Sequence, residues 1–168
     1  MNILASYQNT NRLGGFSLVE LMVTIAILAI VITIAVPSYN DILERKRTKG
    51  LTTAITTDME FLLVEAAKRN LNVSNTFSAT GYVMVADNSG TAITVKSATY
   101  SDHYDGSTAT ANFGGGALSY TYNPKLGRLT GNIGNITVSN GSHSLQISVN
   151  PLGRPSICGA FGGYPACP

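Results

Sequence analysis

The stretch GGFSLVELMVTIAILAIVITIAVPSY, Gly14 to Tyr39, decides how the chain is read. From Phe16 to Val36 it runs 21 residues with a single charge, Glu20. That is about the length of a helix that crosses a bilayer. A segment in lipid has no water for its backbone groups, so it must be helical. A carboxylate inside such a run costs a few kcal/mol at mid-membrane depth, roughly 2.5–3.5 on insertion scales. Two features therefore need a reason: Glu20, and the glycine pair directly ahead of the run.

Three readings of residues 1–36 compete. A secretory signal peptide has an apolar core of about 7–15 residues followed by a small-residue cleavage site. Here the run is longer, and the small residues Gly14 and Gly15 precede it. A plain single-pass anchor accounts for the length but for neither the glycines nor Glu20. The third reading is a prepilin-type leader. A short polar leader ending in Gly15, then FSLVELMVTIAILAIVITIAVPSY, closely resembles the N-terminus of the type IV pilin family.

The resemblance implies that a prepilin peptidase cuts between Gly15 and Phe16 on the cytoplasmic side and methylates the new amine of Phe16. Glu20 falls where the family has its glutamate, and Pro37 where pilins bend the helix near the membrane exit. In a filament, the amine of one subunit and the Glu20 carboxylate of another would compensate each other in an apolar surrounding, since leaving either unpaired costs several kcal/mol. The bland alternative is a glutamate snorkelling at the membrane interface. One feature opposes this orientation. The leader carries only Arg12, whereas Glu44-Arg45-Lys46-Arg47-Thr48-Lys49 follows the span, the reverse of the positive-inside bias.

The composition fits a small exported domain. The chain has 168 residues, 12% of them charged, with a formal net charge of +2, which argues against both disorder and a nucleic-acid footprint. After Pro37, Leu51, Ile55, Met59, Leu62 and Ala66 recur at spacings of three and four, with Thr52, Thr53, Thr56, Glu60 and Lys68 on other faces. That predicts an amphipathic helix. Lys68-Arg69-Asn70 suits its C-terminus, and Gly50 suggests a second bend. The helical region is expected over about residues 17 to 70.

From about residue 80 the period becomes two. Tyr82–Val85 and Ala92–Val95 flank Asn88-Ser89-Gly90 as a hairpin. Ala117–Tyr122 and Leu129–Val138 read as strands around Asn123–Gly127, and Ser101–Thr108 as a polar loop. Ile136 and Val138, then Asn140-Gly141, then Leu145, Ile147 and Val149 form a second hairpin. The expectation is an α+β, pilin-like fold, with a long N-terminal helix on an antiparallel sheet of four to seven strands. Its parts are a leader at 1–15, a membrane or filament helix at 16–37 and an amphipathic helix at 38–70. A β domain at 71–152 and a loop-like tail at 153–168 follow.

Cys158 and Cys167 stand near the end with eight residues between them. In a cytosolic protein they could be unrelated thiols; in an exported one they read as a disulfide closing a small loop. The spacing is wrong for CxxC, and a two-ligand set makes a poor zinc site. Catalytic motifs are absent, Gly114-Gly115-Gly116 reads as a turn, and Asp102, His103 and Asp105 read as a solvated loop. No enzyme, cofactor or metal is expected.

Two further stretches narrow the resemblance. Met59–Asn70 (MEFLLVEAAKRN) and Ser144–Cys158 (SLQISVNPLGRPSIC) resemble the helix end and last strand of FimT/GspH-type minor pilins and pseudopilins. In some FimT-like proteins the Gly-Arg segment binds DNA, which makes Arg154 a candidate DNA contact. The second arginine of that motif is missing, and after Asn70 four basic residues stand against three acidic ones. That is a poor electrostatic footprint for DNA. The resemblance implies other pilin subunits, a prepilin peptidase, an inner-membrane assembly platform and the inner membrane itself as partners. A minor pilin, a pseudopilin of type II secretion and a major pilin all remain open.

Overall fold

The structure, a computed structural model, describes residues 15–167. The rest of the expected leader, residues 1–14 with Arg12, lies outside the described residues, as does Pro168. The chain divides into two compact units at Tyr39/Asn40. One long helix, α1 (Leu18–Arg69), contributes to both.

In the first unit α1 is apolar all round. Its side chains from Leu18 to Val36 are exposed, which marks a helix whose natural surroundings are not water. The hydroxyls of Thr24 and Thr33 donate back to the carbonyls of Leu21 and Ile30, at 2.8 and 2.7 Å, so neither needs an outside partner. Pro37 lies within the helix; its missing N–H leaves the Thr33 carbonyl without its usual donor.

In the second unit the stripe predicted from the sequence is the buried one. Leu51, Ile55, Met59, Leu62 and Ala66 are all at or below 2% exposure. Thr48 and Thr52 share that buried face, contrary to the placement of Thr52 on another side. Their hydroxyls donate to the i−4 carbonyls of Glu44 and Thr48, at 2.9 and 2.7 Å, which lets a polar side chain enter the core. Gly50 marks a close contact. α1 continues through it, and a Cβ there would come within 2.7 Å of the Tyr104 ring. The helix ends as its sequence suggests. Asn70 adopts a left-handed conformation (φ 55°), the Asn70 N–H donates to Ala67 O, and the Leu71 N–H donates to Ala66 O, which is a Schellman cap.

Among the described residues nine strands follow, in two antiparallel sheets rather than one. They are β1 (Asn72–Phe77), β2 (Gly81–Asn88), β3 (Thr91–Thr99), β4 (Thr108–Asn112), β5 (Ser119–Asn123), β6 (Arg128–Thr130), β7 (Gly134–Asn140), β8 (His143–Val149) and β9 (Pro155–Gly159). The first sheet runs β3-β2-β1-β5-β6 and the second β4-β7-β8-β9. Both expected hairpins form. Ser89 and Gly90 both take positive φ (54° and 89°), as a type I′ turn requires. In the second hairpin Asn140 pairs with His143, so Gly141 and Ser142 are the turn centre, one residue on from the Asn-Gly pair.

The expected strand Leu129–Val138 is split between β6 and β7, which lie in different sheets with Gly131 at positive φ between them, and three further strands depart from the sequence reading. β1 is central in its sheet yet was not expected, because its inward residues are Val73, Asn75 and Phe77. β4 is signalled only by the small inward residues Ala109 and Ala111. The tail is not all loop, since β9 pairs with β8 along Pro155–Gly159. As the outer strand of its sheet, β9 tolerates Pro155 at its first position. Inward residues of both sheets join the helix stripe in one apolar cluster, including Val73, Met84, Tyr120, Ile136 and Ile147. Burial of each such side chain stabilises by roughly 1.5–3 kcal/mol.

Candidate assembly site

The residues singled out in the sequence fall into two groups, one in each unit. Gly15 and Phe16 are exposed, Phe16 at 79%, immediately ahead of α1. Glu20 lies in the first turn of the helix, where a carboxylate is favoured by the partial positive charge of the helix N-terminus. It sits four residues after Phe16, surrounded in sequence by Leu18, Val19, Leu21 and Met22, all more than half exposed. Among the described residues Glu20 makes no ion pair. The segment thus carries one charge on a wholly apolar cylinder, suited to lipid or to other apolar helices.

The second group is the tail. Cys158 in β9 and Cys167 form a disulfide with their Cα atoms 4.9 Å apart. The Gly159 N–H donates to Pro165 O inside the ring, at 2.9 Å. Two aromatic side chains hold the ring on the domain. Phe161 packs edge-on against His143, 5.4 Å between centroids, and the Lys49 ammonium stands 5.7 Å from the Tyr164 ring. His143 in turn donates from Nε2 to Asp41 Oδ1 at 2.6 Å, and Arg45 Nε donates to Asp41 Oδ2 at 3.0 Å. The His143 hydrogen bond holds the Asp41 carboxyl below the usual carboxylate range; desolvation opposes this and Arg45 reinforces it. These contacts join the tail, the β7–β8 turn and the Asn40–Lys49 part of the helix.

Arg154 is exposed beside the tight β8–β9 turn. Asn150 Oδ1 accepts from the N–H groups of Leu152 and Arg154, at 3.0 and 2.9 Å. Those donors are therefore committed and do not form an anion cradle. Arg154 has no acidic partner among the described residues. The structure does not bring it together with the ring contacts described above.

One polar cluster escaped the sequence reading. Asp58, 8% exposed, sits between Ile55 and Met59 on the buried face. It accepts from Tyr82 Oη at 2.5 Å and from Lys96 Nζ at 2.6 Å, tying the helix to β2 and β3. An acid inside an apolar helical stripe was the available signal. Desolvation, with Asp58 adding to it, pushes the Tyr82 phenol well above its ordinary range; desolvation alone pushes Tyr100 up to about 12. A cleft of about 310 Å³ adjoins this cluster, and Asp102 and His103 reach its rim. Among the described residues no group of three or more His, Cys, Asp or Glu is placed to hold a metal.

An apolar N-terminal helix with one charge, continued as the amphipathic helix of an α+β domain, fits a membrane-anchored, single-pass protein. Two family profiles match the chain: the prokaryotic N-terminal methylation motif over residues 11–36, and type II transport protein GspH over residues 51–153. The second spans most of the chain, and the protein belongs to that GspH family, within the type IV pilins and pseudopilins. No curated protein and no solved structure matches it. Membership implies processing by a prepilin peptidase and assembly with other pilin subunits, in a family that is structural rather than enzymatic.

Proposed function

We propose that this protein is a minor type IV pilin of the FimT/FimU kind. Its precursor inserts in the inner membrane with the globular unit in the periplasm. Prepilin peptidase cuts between Gly15 and Phe16 and methylates Phe16, and the inner-membrane assembly platform then moves the subunit into a pilus that it primes or caps. Glu20 pairs with the N-terminal amine of a neighbouring subunit and fixes register, and Pro37 bends the helix near the membrane exit. The observation that carries this reading is the joining of the methylation motif to the GspH-type domain through one continuous helix. Adhesion, motility and DNA uptake are the roles such a fibre serves; a DNA contact would involve Arg154.

The description of the matched family favours a second reading, a minor pseudopilin of type II secretion. Deleting the gene and assaying piliation, transformation and secretion together separates the two. Loss of piliation or transformation with intact secretion supports the pilin; the opposite pattern supports the pseudopilin. A third assignment, the major subunit of the shaft, would follow if the protein dominated sheared fibres.

A further inference from the structure

The basic run that opposes the positive-inside bias acquires a definite geometry in the helix. Ile42, Arg45, Lys46 and Lys49 recur at i, i+3, i+4 and i+7, which places them on one face, and all four are exposed, Ile42 at 46%. Of the acids of the same segment, Asp41 is shared between His143 and Arg45, and Glu44 is turned toward the β7–β8 turn. Asp41 holds His143, and the Glu44 carboxylate lies where a Cβ on Gly141 would stand. Thr48, on the side of Asp41 and Glu44, is buried. Arg45, Lys46 and Lys49 are thus exposed on one face of the segment, with Arg47 half-buried on another and Asp41 the one acid in contact with them among the described residues.

Of the three cations only Arg45 is in an internal pair among the described residues. Arg45 uses Nε for Asp41, which leaves its terminal nitrogens uncommitted in that bond. Lys46 and Lys49 make no salt bridge among the described residues. Lys49 has the Tyr164 ring on one side at 5.7 Å, and a cation over an aromatic face keeps its N–H groups free for an anion. Ile42 adds an apolar residue to the same face. A basic face carrying an exposed apolar side chain is the composition of a helix that lies against lipid headgroups.

We propose that Ile42, Arg45, Lys46 and Lys49 form a docking face for anionic phospholipid headgroups of the leaflet from which the anchored helix emerges. Chain length makes the contact available. Ile42 is six residues and Lys49 thirteen residues beyond Val36, where the apolar run ends. Helical chain of those lengths reaches about 9 and 20 Å, and long basic side chains snorkel back toward the interface. Each basic residue near an anionic surface contributes about fivefold in affinity, within a screening length of about 10 Å at 0.1 M salt. Before assembly the face holds the subunit at the bilayer in a set orientation. Leaving the membrane requires these lipid contacts to be exchanged.

The test uses the full chain in bilayer nanodiscs that contain photoactivatable phosphatidylglycerol or photoactivatable phosphatidylcholine at equal fraction. The readout is the yield of lipid crosslinked to the Asn40–Gly50 segment. The expected result is a phosphatidylglycerol yield about fivefold or more above phosphatidylcholine at low salt, collapsing toward parity at about 1 M salt, where screening falls to about 3 Å. Lys46→Ser with Lys49→Ser should lower that preference by about fivefold per lysine until parity is reached, while Lys46→Arg with Lys49→Arg keeps it. Parity in the unaltered chain, or a preference untouched by the double serine variant, overturns the proposal. Crosslinking of this face to a second protein chain in place of lipid also overturns it.

Discussion

The Asp58 cluster offers the sharpest quantitative test. Tyr82 is 4% exposed, and its hydroxyl donates to a carboxylate at 2.5 Å, so the bond is charge-assisted and shielded from water. Bonds of that kind contribute about 1.5–3 kcal/mol. The Lys96 pair is of similar length, at 2.6 Å, but wetter: the lysine side chain is 43% exposed, which discounts its share to about 1 kcal/mol or less. Tyr82→Phe should therefore destabilise by about 2 kcal/mol and Lys96→Met by less than about 1 kcal/mol. Asp58→Ala removes both partners at once and should cost about 3 kcal/mol. In the Asp58→Ala background Tyr82→Phe should then have almost no effect, giving a coupling of about 2 kcal/mol. Urea unfolding of the full chain in detergent, followed by tyrosine near-ultraviolet dichroism, reads this out; the chain has eight tyrosines and no tryptophan. A Lys96→Met cost larger than that of Tyr82→Phe, or a coupling below about 0.5 kcal/mol, would refute the assignment of Tyr82 as the dominant partner.

Glu20→Ala should leave the protein stable in the membrane but lower its recovery in sheared fibres; normal incorporation would sink the pairing role given to this residue. Cys158→Ser with Cys167→Ser opens a ring closed over a sequence separation of nine. It should cost roughly 2–3 kcal/mol in the chain-entropy model, seen as a lower urea midpoint and faster proteolysis after Cys158. In alkali, burial holds the Tyr82, Tyr100 and Tyr120 phenols above their unfolded value of 10.0, so the unfolded state loses protons first and stability falls as pH rises past about 10. Tyr120→Phe should flatten that fall by about 1.4 kcal/mol per pH unit, measurable by urea titrations between pH 10 and 12. Arg154→Ala should barely change DNA retention by the full chain in nanodiscs; a large, salt-sensitive loss would show that this single cation matters.

The parts of the fold that were legible are those where one physical signal dominates a long window. The stripe Leu51–Ala66 repeats at helical spacing without interruption, and Asn88-Ser89-Gly90 supplies the positive φ that a hairpin needs. The unread parts are those where tertiary context supplies what local sequence lacks. β1 hides because Asn75, fully buried and donating to Tyr120 Oη at 3.5 Å, interrupts its apolar alternation. β4 hides because alanines suffice where space is small. β9 hides because its pairing with β8 depends on a partner rather than on its own Pro- and Gly-rich composition. Thr52 looked solvent-facing until a carbonyl one turn back satisfied its hydroxyl. At the candidate site, the Cys158–Cys167 pairing was readable from residue type and spacing. His143, Asp41 and Phe161 were not, because 102 residues separate the first two along the chain.

The disulfide ring has an evolutionary consequence. Its two ends meet at β9, and the closing bonds are the Cys158–Cys167 link and the Gly159–Pro165 hydrogen bond. What lies between those ends touches the rest of the domain through Phe161 on His143 and Tyr164 beside Lys49. Doubling the enclosed length would cost only about 0.6 kcal/mol of loop entropy. The exposed Ala160 and Ala166 can therefore drift or acquire new chemistry while the scaffold is inherited unchanged, whereas Gly162 and Gly163 are held to glycine by their positive φ. A lineage can rewrite the loop it presents to the world and keep the subunit that carries it.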